Sequence, residues 1–411
     1  MSFTELADLV LRDARLLDKY IQEANLPQPC LDADGPTRTP FTGKEAISAR
    51  AGLLANTHKL QHLSQGPTAP WMGTLNGAFG DAMTSAAIYH FKIADRVPIG
   101  KEASFEQVAL KAGLALRDFK MIVRVIAHTA SSRLLAENKL IRSLMSMGVN
   151  EIFPGTVKEI ETLQRYPGSE EPTESAWAIA NDARSPLFTE LANRHPNRAE
   201  NMAFAMESLA TMMPDVIVVE AYDWASMGTA TIVDVGGGKG LVCRQLAKHF
   251  PRLSFVVQDL QVTADAGREQ LPTELQDRIT FGTHDFFTPQ PVTGADVYFF
   301  RAIFHDWPDK YCIQILHSLI PALKNGAKII IQDPFTSDPL SMHPWQDREC
   351  RASNLRMKLF FNACDRETTE WRELIGKADS RFRLKGIEAH AREPQNEWGP
   401  KMALLEIIWD G

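Results

Sequence analysis

The chain has 411 residues, a formal net charge of −7, 44% hydrophobic and 23% charged residues. That is length enough for two domains and an ordinary composition for a soluble globular protein. The acidic balance disfavours general nucleic-acid binding, and no apolar run reaches the ~18 residues of a membrane span.

At the N-terminus the acids Glu5, Asp8 and Asp13 lie inside an amphipathic stretch, unlike a signal or transit peptide. The cysteines at 30, 243, 312, 350 and 364 show no C-x-x-C spacing. An unpatterned odd set points to a reducing, cytoplasmic setting and away from a structural metal.

Residues 3–22 place Phe3, Leu6, Leu9, Val10, Leu16, Leu17, Tyr20 and Ile21 on one helical stripe. An irregular stretch from Pro27 to Gly43 follows, and then a second stripe of Ala46, Ile47, Leu53, Leu54, Leu60 and Leu63. Two such helices must bury their apolar faces, and a partner subunit is one place to do so. Residues 71–165 read as a small helical domain. Ser104-Phe-Glu-Gln107 is a capping box, Gly113 stops its helix, and residues 114–127 form the next. This helix-turn-helix spacing could suit DNA, and Arg117, Lys120 and Arg124 are basic. Asp118 interrupts them and the chain is acidic, so no nucleic-acid partner is expected. The loop Tyr166-Pro-Gly-Ser-Glu-Glu-Pro172 marks a boundary. The expected domains are 1–165, helical, and 166–411.

Helices occupy 175–226, notably 201–213. From 231 onward strands and helices alternate. Strands are expected at 231–235, 253–258, 279–282, 295–300 and 327–332, with helices at 240–249, 262–270 and 309–323. Such alternation gives an α/β domain with a mostly parallel sheet. The runs Phe382 to Ile387 and Met402 to Trp409 fit a terminal antiparallel hairpin.

The organising stretch is Thr231-Ile-Val-Asp-Val-Gly-Gly-Gly-Lys-Gly240, a strand running into a glycine turn and then a helix. Asp259 ends the second strand, nineteen residues past Gly240, where an acid bonds a ribose diol. The glycines do not fit G-x-G-x-x-G, because Leu241 stands in the third place. The third strand delivers Asp285, an acceptor for an exocyclic amine or a turn cap, and Phe286, which could flank a ring. The fourth delivers Arg301 and His305. Histidine titrates near ~6.5 and can take a proton at neutral pH. Asp306 reads as a helix-start residue. Asp333, after the fifth strand, and Asp365, after the helix of 346–363, are acids that could orient the imidazole. Asn354, Met357, Lys358 and Phe361 on that helix could line a pocket, although Met and Phe at helical spacing are more commonly core.

The sequence resembles class II O-methyltransferases of plants and fungi. The resemblance runs from about residue 71 to the end. It is carried by Val233-Asp-Val-Gly-Gly-Gly-Lys-Gly240, Phe255-Val-Val-Gln-Asp-Leu260, His284-Asp-Phe-Phe287, Arg301-Ala-Ile-Phe-His-Asp-Trp-Pro-Asp309 and Met402-Ala-Leu-Leu-Glu406. It implies a Rossmann-like domain binding S-adenosylmethionine, preceded by an all-α dimerisation and winged-helix domain, in a homodimer. Family roles fall on Asp234, Gly236, Gly237 and Gly238 for the methionine portion, on Asp259 with neighbouring Leu260 for the ribose, and on Asp285 with Phe286 for the adenine. Arg301 falls at a cofactor contact. His305 matches the catalytic base, with Asp333 and Asp365 at the flanking acids. Where the family usually reads Glu-Arg-Thr, this chain reads Asp365-Arg366-Glu367, a shorter side chain with less reach toward His305. The implied reaction is O-methylation of a phenolic or enolic small molecule of fungal secondary metabolism, without a metal. A second reading stays open. Some fungal relatives are pericyclases that keep the fold and the cofactor, dehydrate a pyridone-type polyketide alkaloid and steer a cycloaddition or ene reaction. In them a histidine and an arginine bind substrate, and His128 and Arg301 stand at comparable places.

Overall fold

The computed structural model describes residues 2–30, 32, 34–36, 41–66, 78–99, 101–122, 130–212, 216–336, 344–389 and 402–411. It forms two compact units. One comprises residues 1–159, 180–212 and 343–346. The other comprises 160–179, 213–342 and 347–411.

The first unit is helical. Helices Phe3–Glu23 and Lys44–Gln65 pack on each other, with Leu17, Ile21, Phe41, Ala46 and Ala49 buried between them. Small residues on the second helix allow close approach. A Cβ added at Gly52 would stand 2.4 Å from Asp13 Oδ2. Helix Phe105–Ala112 starts at the Ser104 capping box and stops at Gly113 with φ +70°, a left-handed cap that glycine adopts without strain. With Leu116–Ile122 it encloses Ile93, Val108, Ala109 and Phe119.

The second unit is a seven-stranded sheet in the order β3-β2-β1-β4-β5-β7-β6. Its strands are β1 (Ala230–Val235), β2 (Leu253–Asp259), β3 (Ile279–Thr283), β4 (Val297–Arg301), β5 (Lys328–Pro334), β6 (Phe382–Ala389) and β7 (Met402–Trp409). β1 to β5 are parallel, and β7 runs antiparallel to both β5 and β6. Parallel strands buried on both faces are apolar throughout, and β4 shows the division of labour. Val297 and Phe299 join one core with Ile232, Phe255, Val257 and Leu246. Tyr298 and Phe300 point the other way, into a core with Val233, Ile331, Ile315 and Leu374.

Every strand expected from the sequence forms, each within two residues of its expected bounds. The expected helix 309–323 is α-helical over Asp309–Leu319 and then tightens into a 3-10 turn at Ile320–Ala322, where Pro321 lacks the N–H that would continue it. The order matters for function. After β1 the chain winds outward to β3, then returns to place β4 on the other side of β1. The winding direction therefore reverses between β1 and β4, and the crevice outside their carboxyl ends is where open α/β sheets bind ligands.

Candidate active site

Two turns meet at that crevice. The first leaves β1. Gly236, Gly238 and Gly240 have φ of +75°, +59° and +74°. The Gly236 and Gly237 N–H groups both donate to the Gln258 carbonyl, at 2.8 and 3.1 Å, pinning the turn to β2. A Cβ at Gly236 would fall 2.5 Å from Ile303 Cδ1, so the turn lies against the residue two before His305. At Gly238 a Cβ would meet nothing within 4 Å, which leaves the backbone open to a ligand.

Asp259, at the end of β2, accepts the Gly238 N–H on Oδ2 at 2.9 Å and the Leu260 N–H on Oδ1 at 2.8 Å. Burial raises its carboxyl above the ordinary range, although these backbone donors pull the other way. Two backbone donors and the Thr263 hydroxyl still leave a lone pair of the carboxylate for a diol. Leu260 beside it is 63% exposed. Asp234 is buried directly beneath the turn. A Cβ at Gly237 would fall 2.5 Å from its carboxyl carbon, and its Oδ2 takes the Cys243 thiol at 3.1 Å. Burial pushes Asp234 up to about 6. It supports the turn from inside the sheet. The exposed Asp285 caps its own loop, accepting the Phe287 N–H at 3.0 Å. Phe286 is half-buried, edge-on to Phe287 and Trp307. Arg301 donates from Nε to Gln332 Oε1 at 3.1 Å. An accessible backbone at Gly238, a carboxylate against it and apolar Leu260 and Phe286 nearby fit an adenosyl group: a diol acceptor, a close approach and flat flanks.

The second turn leaves β4. Ala302 has φ +52°, a strained value for a residue with a Cβ, and residues Phe304–Asp306 form a 3-10 turn. Asp333 on β5 is fully buried. Its Oδ1 accepts the Ile303 N–H and its Oδ2 the His305 N–H, both at 3.0 Å. It therefore holds the backbone of the turn. The imidazole meets two other acids. Nδ1 is 3.4 Å from Asp365 Oδ1, and Nε2 is 3.6 Å from Asp306 Oδ1. These are ion-pair distances; neither Nδ1 nor Asp365 Oδ1 has a well-directed hydrogen bond. Burial of His305 disfavours its cation, but Asp306, Asp365 and Asp333 outweigh that and raise it to about 9. Burial likewise pushes Asp306 up to about 6, against the pull of His305.

Three features of this turn differ from, or add to, what the sequence suggests. Asp306 does not start the next helix, which begins at Asp309 after Pro308; it stands against the imidazole instead. Asp365, despite its short side chain, comes within 3.4 Å of Nδ1. Arg366, 1% exposed, donates to the carbonyls of Phe304 and Trp307 at 3.0 and 2.8 Å. No local pattern marks Arg366, because its partners lie about 60 positions upstream.

On helix Pro344–Phe361, Met357 and Phe361 are buried. Asn354 Oδ1 accepts the Asp365 N–H at 2.9 Å and so steers that acid, and Lys358 Nζ donates to Asn362 Oδ1 at 2.8 Å. His128 lies outside the described residues. Among the described residues no cluster of three or more metal-ligating side chains forms, and no helix is long and apolar enough to cross a membrane.

A glycine turn, an acid at the end of the neighbouring strand and a reversal of winding between β1 and β4 define an open α/β fold with a nucleoside-type ligand site in its crevice. Residues 174–381 match the model of the O-methyltransferase domain. The chain is 33% identical to the grayanic acid biosynthesis cluster O-methyltransferase of Cladonia grayi, over 98% of this chain and 87% of that one. It is 29% identical to the chlorophenol O-methyltransferase of Trichoderma longibrachiatum, over 98% and 90%. Among solved structures it is similar to OxaC in complex with sinefungin and meleagrin, with a TM-score of 0.74 at 18% identity, over 98% of this chain and 99% of that one. It is also similar to LepI in complex with S-adenosylmethionine, with a TM-score of 0.71 at 19% identity, over 98% and 100%. The chain belongs to the O-methyltransferase family, and it is an S-adenosylmethionine-dependent enzyme of that fold.

Proposed function

We propose that the protein methylates the oxygen of a phenolic or enolic small molecule, with His305 as the general base. The observation that carries this reading is an imidazole held between Asp365 and Asp306 at the end of β4, one turn away from the glycine loop. Its support from kinship is the identity to O-methyltransferases along almost the whole chain, one of them acting, by its name, on chlorophenol. When bound, S-adenosylmethionine supplies a methyl group already activated by the sulfonium charge. Gly238 and Asp259 are the residues that would hold its adenosyl part, with Leu260 and Phe286 alongside.

Asp365 faces Nδ1, and the proton would be taken at Nε2, where Asp306 at 3.6 Å stabilises the resulting cation. The raised value of His305 works in two directions. A phenol titrates near ~10, like tyrosine, so an imidazole of about 9 is a better-matched acceptor than one of ~6.5. The cost is that little of it is neutral at pH 7. The acid cluster thus trades the amount of base for its strength, and the rate should climb as pH rises toward 9. Asn354 serves this site by steering Asp365. Met357, Lys358 and Phe361 remain the candidate walls of the acceptor pocket, and Arg301 a candidate contact to cofactor or substrate; His128 remains a candidate substrate contact by its place in the sequence alone. The domain division at 165/166, the winged-helix element, the homodimer and a cytoplasmic location belong to the same proposal. Phe3, Leu11 and Leu63, exposed on the two N-terminal helices, are the support for a partner copy.

A second reading is favoured by the same raised value. An imidazole that is mostly cationic at neutral pH is a ready hydrogen-bond donor, as a pericyclase of this fold would need, and one similar structure is titled a pericyclic reaction enzyme. Incubation with S-adenosylmethionine and a panel of phenols and hydroxypyridones separates the two. Methyl transfer yields one S-adenosylhomocysteine per product, and His305→Ala should lower that rate by roughly 10²–10⁴. Product formed while the cofactor stays intact would establish the second reading, and near-normal turnover in His305→Ala would remove His305 from its role.

A further inference from the structure

We propose that Arg366 is a positioning residue for the reaction at His305, acting by fixing the backbone on both sides of the imidazole without touching it. The guanidinium takes the Phe304 carbonyl from Nη1 at 3.0 Å and the Trp307 carbonyl from Nη2 at 2.8 Å. It also makes a forked pair with Asp309 Oδ1, from Nε at 3.0 Å and Nη2 at 2.8 Å. Residues 304 and 307 bracket His305 and Asp306. On the opposite side Asp333 takes the N–H groups of Ile303 and His305. The turn is therefore fastened through its carbonyls by one buried charge and through its amides by another.

The same residue also ties the flanking acid into the frame. The Arg366 backbone bridges to Phe335, just past β5, and its carbonyl accepts the Thr336 N–H at 3.3 Å. Asp333 lies on β5 and Asp365 immediately precedes Arg366. The base, the acid facing its Nδ1 and the acid holding its backbone thus converge on one clamp. The guanidinium rests 5.3 Å from the centre of the buried Trp371 ring, which keeps water from competing for its donors. Only a planar fork can serve these acceptors together; an ammonium keeps the charge but spans fewer of them. A misplacement of about 1 Å at a reacting group costs on the order of 100-fold in rate.

This inference rests on His305 acting in the reaction, so its test includes a readout that needs no turnover. In Arg366→Lys, kcat should fall roughly 10- to 100-fold while KM for S-adenosylmethionine stays within about twofold. The NMR titration of His305, assigned by its loss in His305→Ala, should move down from about 9 because the ring drifts from its acids while the charge at 366 is kept. Asp309→Ala removes the partially exposed end of the clamp and should lower kcat about 3- to 10-fold at unchanged cofactor KM. Should Arg366→Lys fail to fold, Asp309→Ala decides alone. Folded variants that keep wild-type kcat and the wild-type His305 titration overturn the clamp, as does a loss confined to cofactor KM. Normal turnover in His305→Ala would defeat the catalytic reading instead, and the titration would still report on Arg366.

Discussion

The glycine turn after β1 and the His305 turn after β4 stand on neighbouring strands, yet each is held by different means. The first is shaped by its own backbone. Its glycines occupy conformations closed to other residues, and two amides share one carbonyl of β2. The second has no glycine and even strains Ala302, and it is held from outside by Asp333, Arg366 and Asp365, all buried. A turn that must let a ligand come close to its backbone gains from lacking side chains. A turn that must present one side chain at a set proton affinity gains from a ring of charges.

Four substitutions test this contrast. The largest effect is expected at Asp333→Asn. The amide can accept only one of the two N–H groups, so one buried donor loses its partner, at roughly 1–3 kcal/mol of stability. Denaturant unfolding should read that loss, and turnover should drop with it. Unchanged stability would mean that the second turn does not depend on its external support. Next comes Gly236→Ala, which meets both a positive φ and Ile303 at 2.5 Å, at about 1–3 kcal/mol, and which should weaken cofactor binding measured by calorimetry. Gly238→Ala meets only the φ penalty in open space before ligand arrives. If the two alanines are equally harmful to the ligand-free protein, the close approach to Ile303 is not what fixes the loop. The smallest effect is expected at Asp365→Asn. His305 loses one acid that raises it, so the rising arm of the kcat/KM–pH profile should shift below its wild-type position, with the deprotonated base still the active form. A profile that stays in place would show that Asp306 and Asp333 alone set the proton affinity.

The same contrast explains what the sequence revealed. The glycine turn is local: strand, turn, helix and the acid of the next strand lie within thirty residues, and each carries its own signature of period or composition. The mostly parallel sheet followed from the alternation, and the terminal hairpin from two apolar runs. His305 was legible because it follows a strand. Of its surroundings Asp333 and Asp365 were named as acids beside the imidazole, whereas Arg366, which meets Phe304 across 62 positions, was not. The run Arg301 to Asp309 does not say that Asp306 faces the ring; the structure starts the helix only at Asp309, after Pro308, and so frees Asp306 for the imidazole. The division of labour among the acids was hidden for the same reason, because Asp333 and Asp365 differ in which atoms of His305 they reach rather than in type.

The place of β7 has a consequence for how the chain is made. It is inserted between β5 and β6, and Leu404, Leu405 and Ile407 are among its buried residues. During synthesis β5 therefore waits with Ile329, Ile330 and Ile331 on a raw edge until residues 402–409 emerge. Such an edge is a template for pairing with other chains. A nascent protein stopped before Met402 carries its whole ligand crevice beside an open seam, and its fate is decided by how soon that last strand arrives.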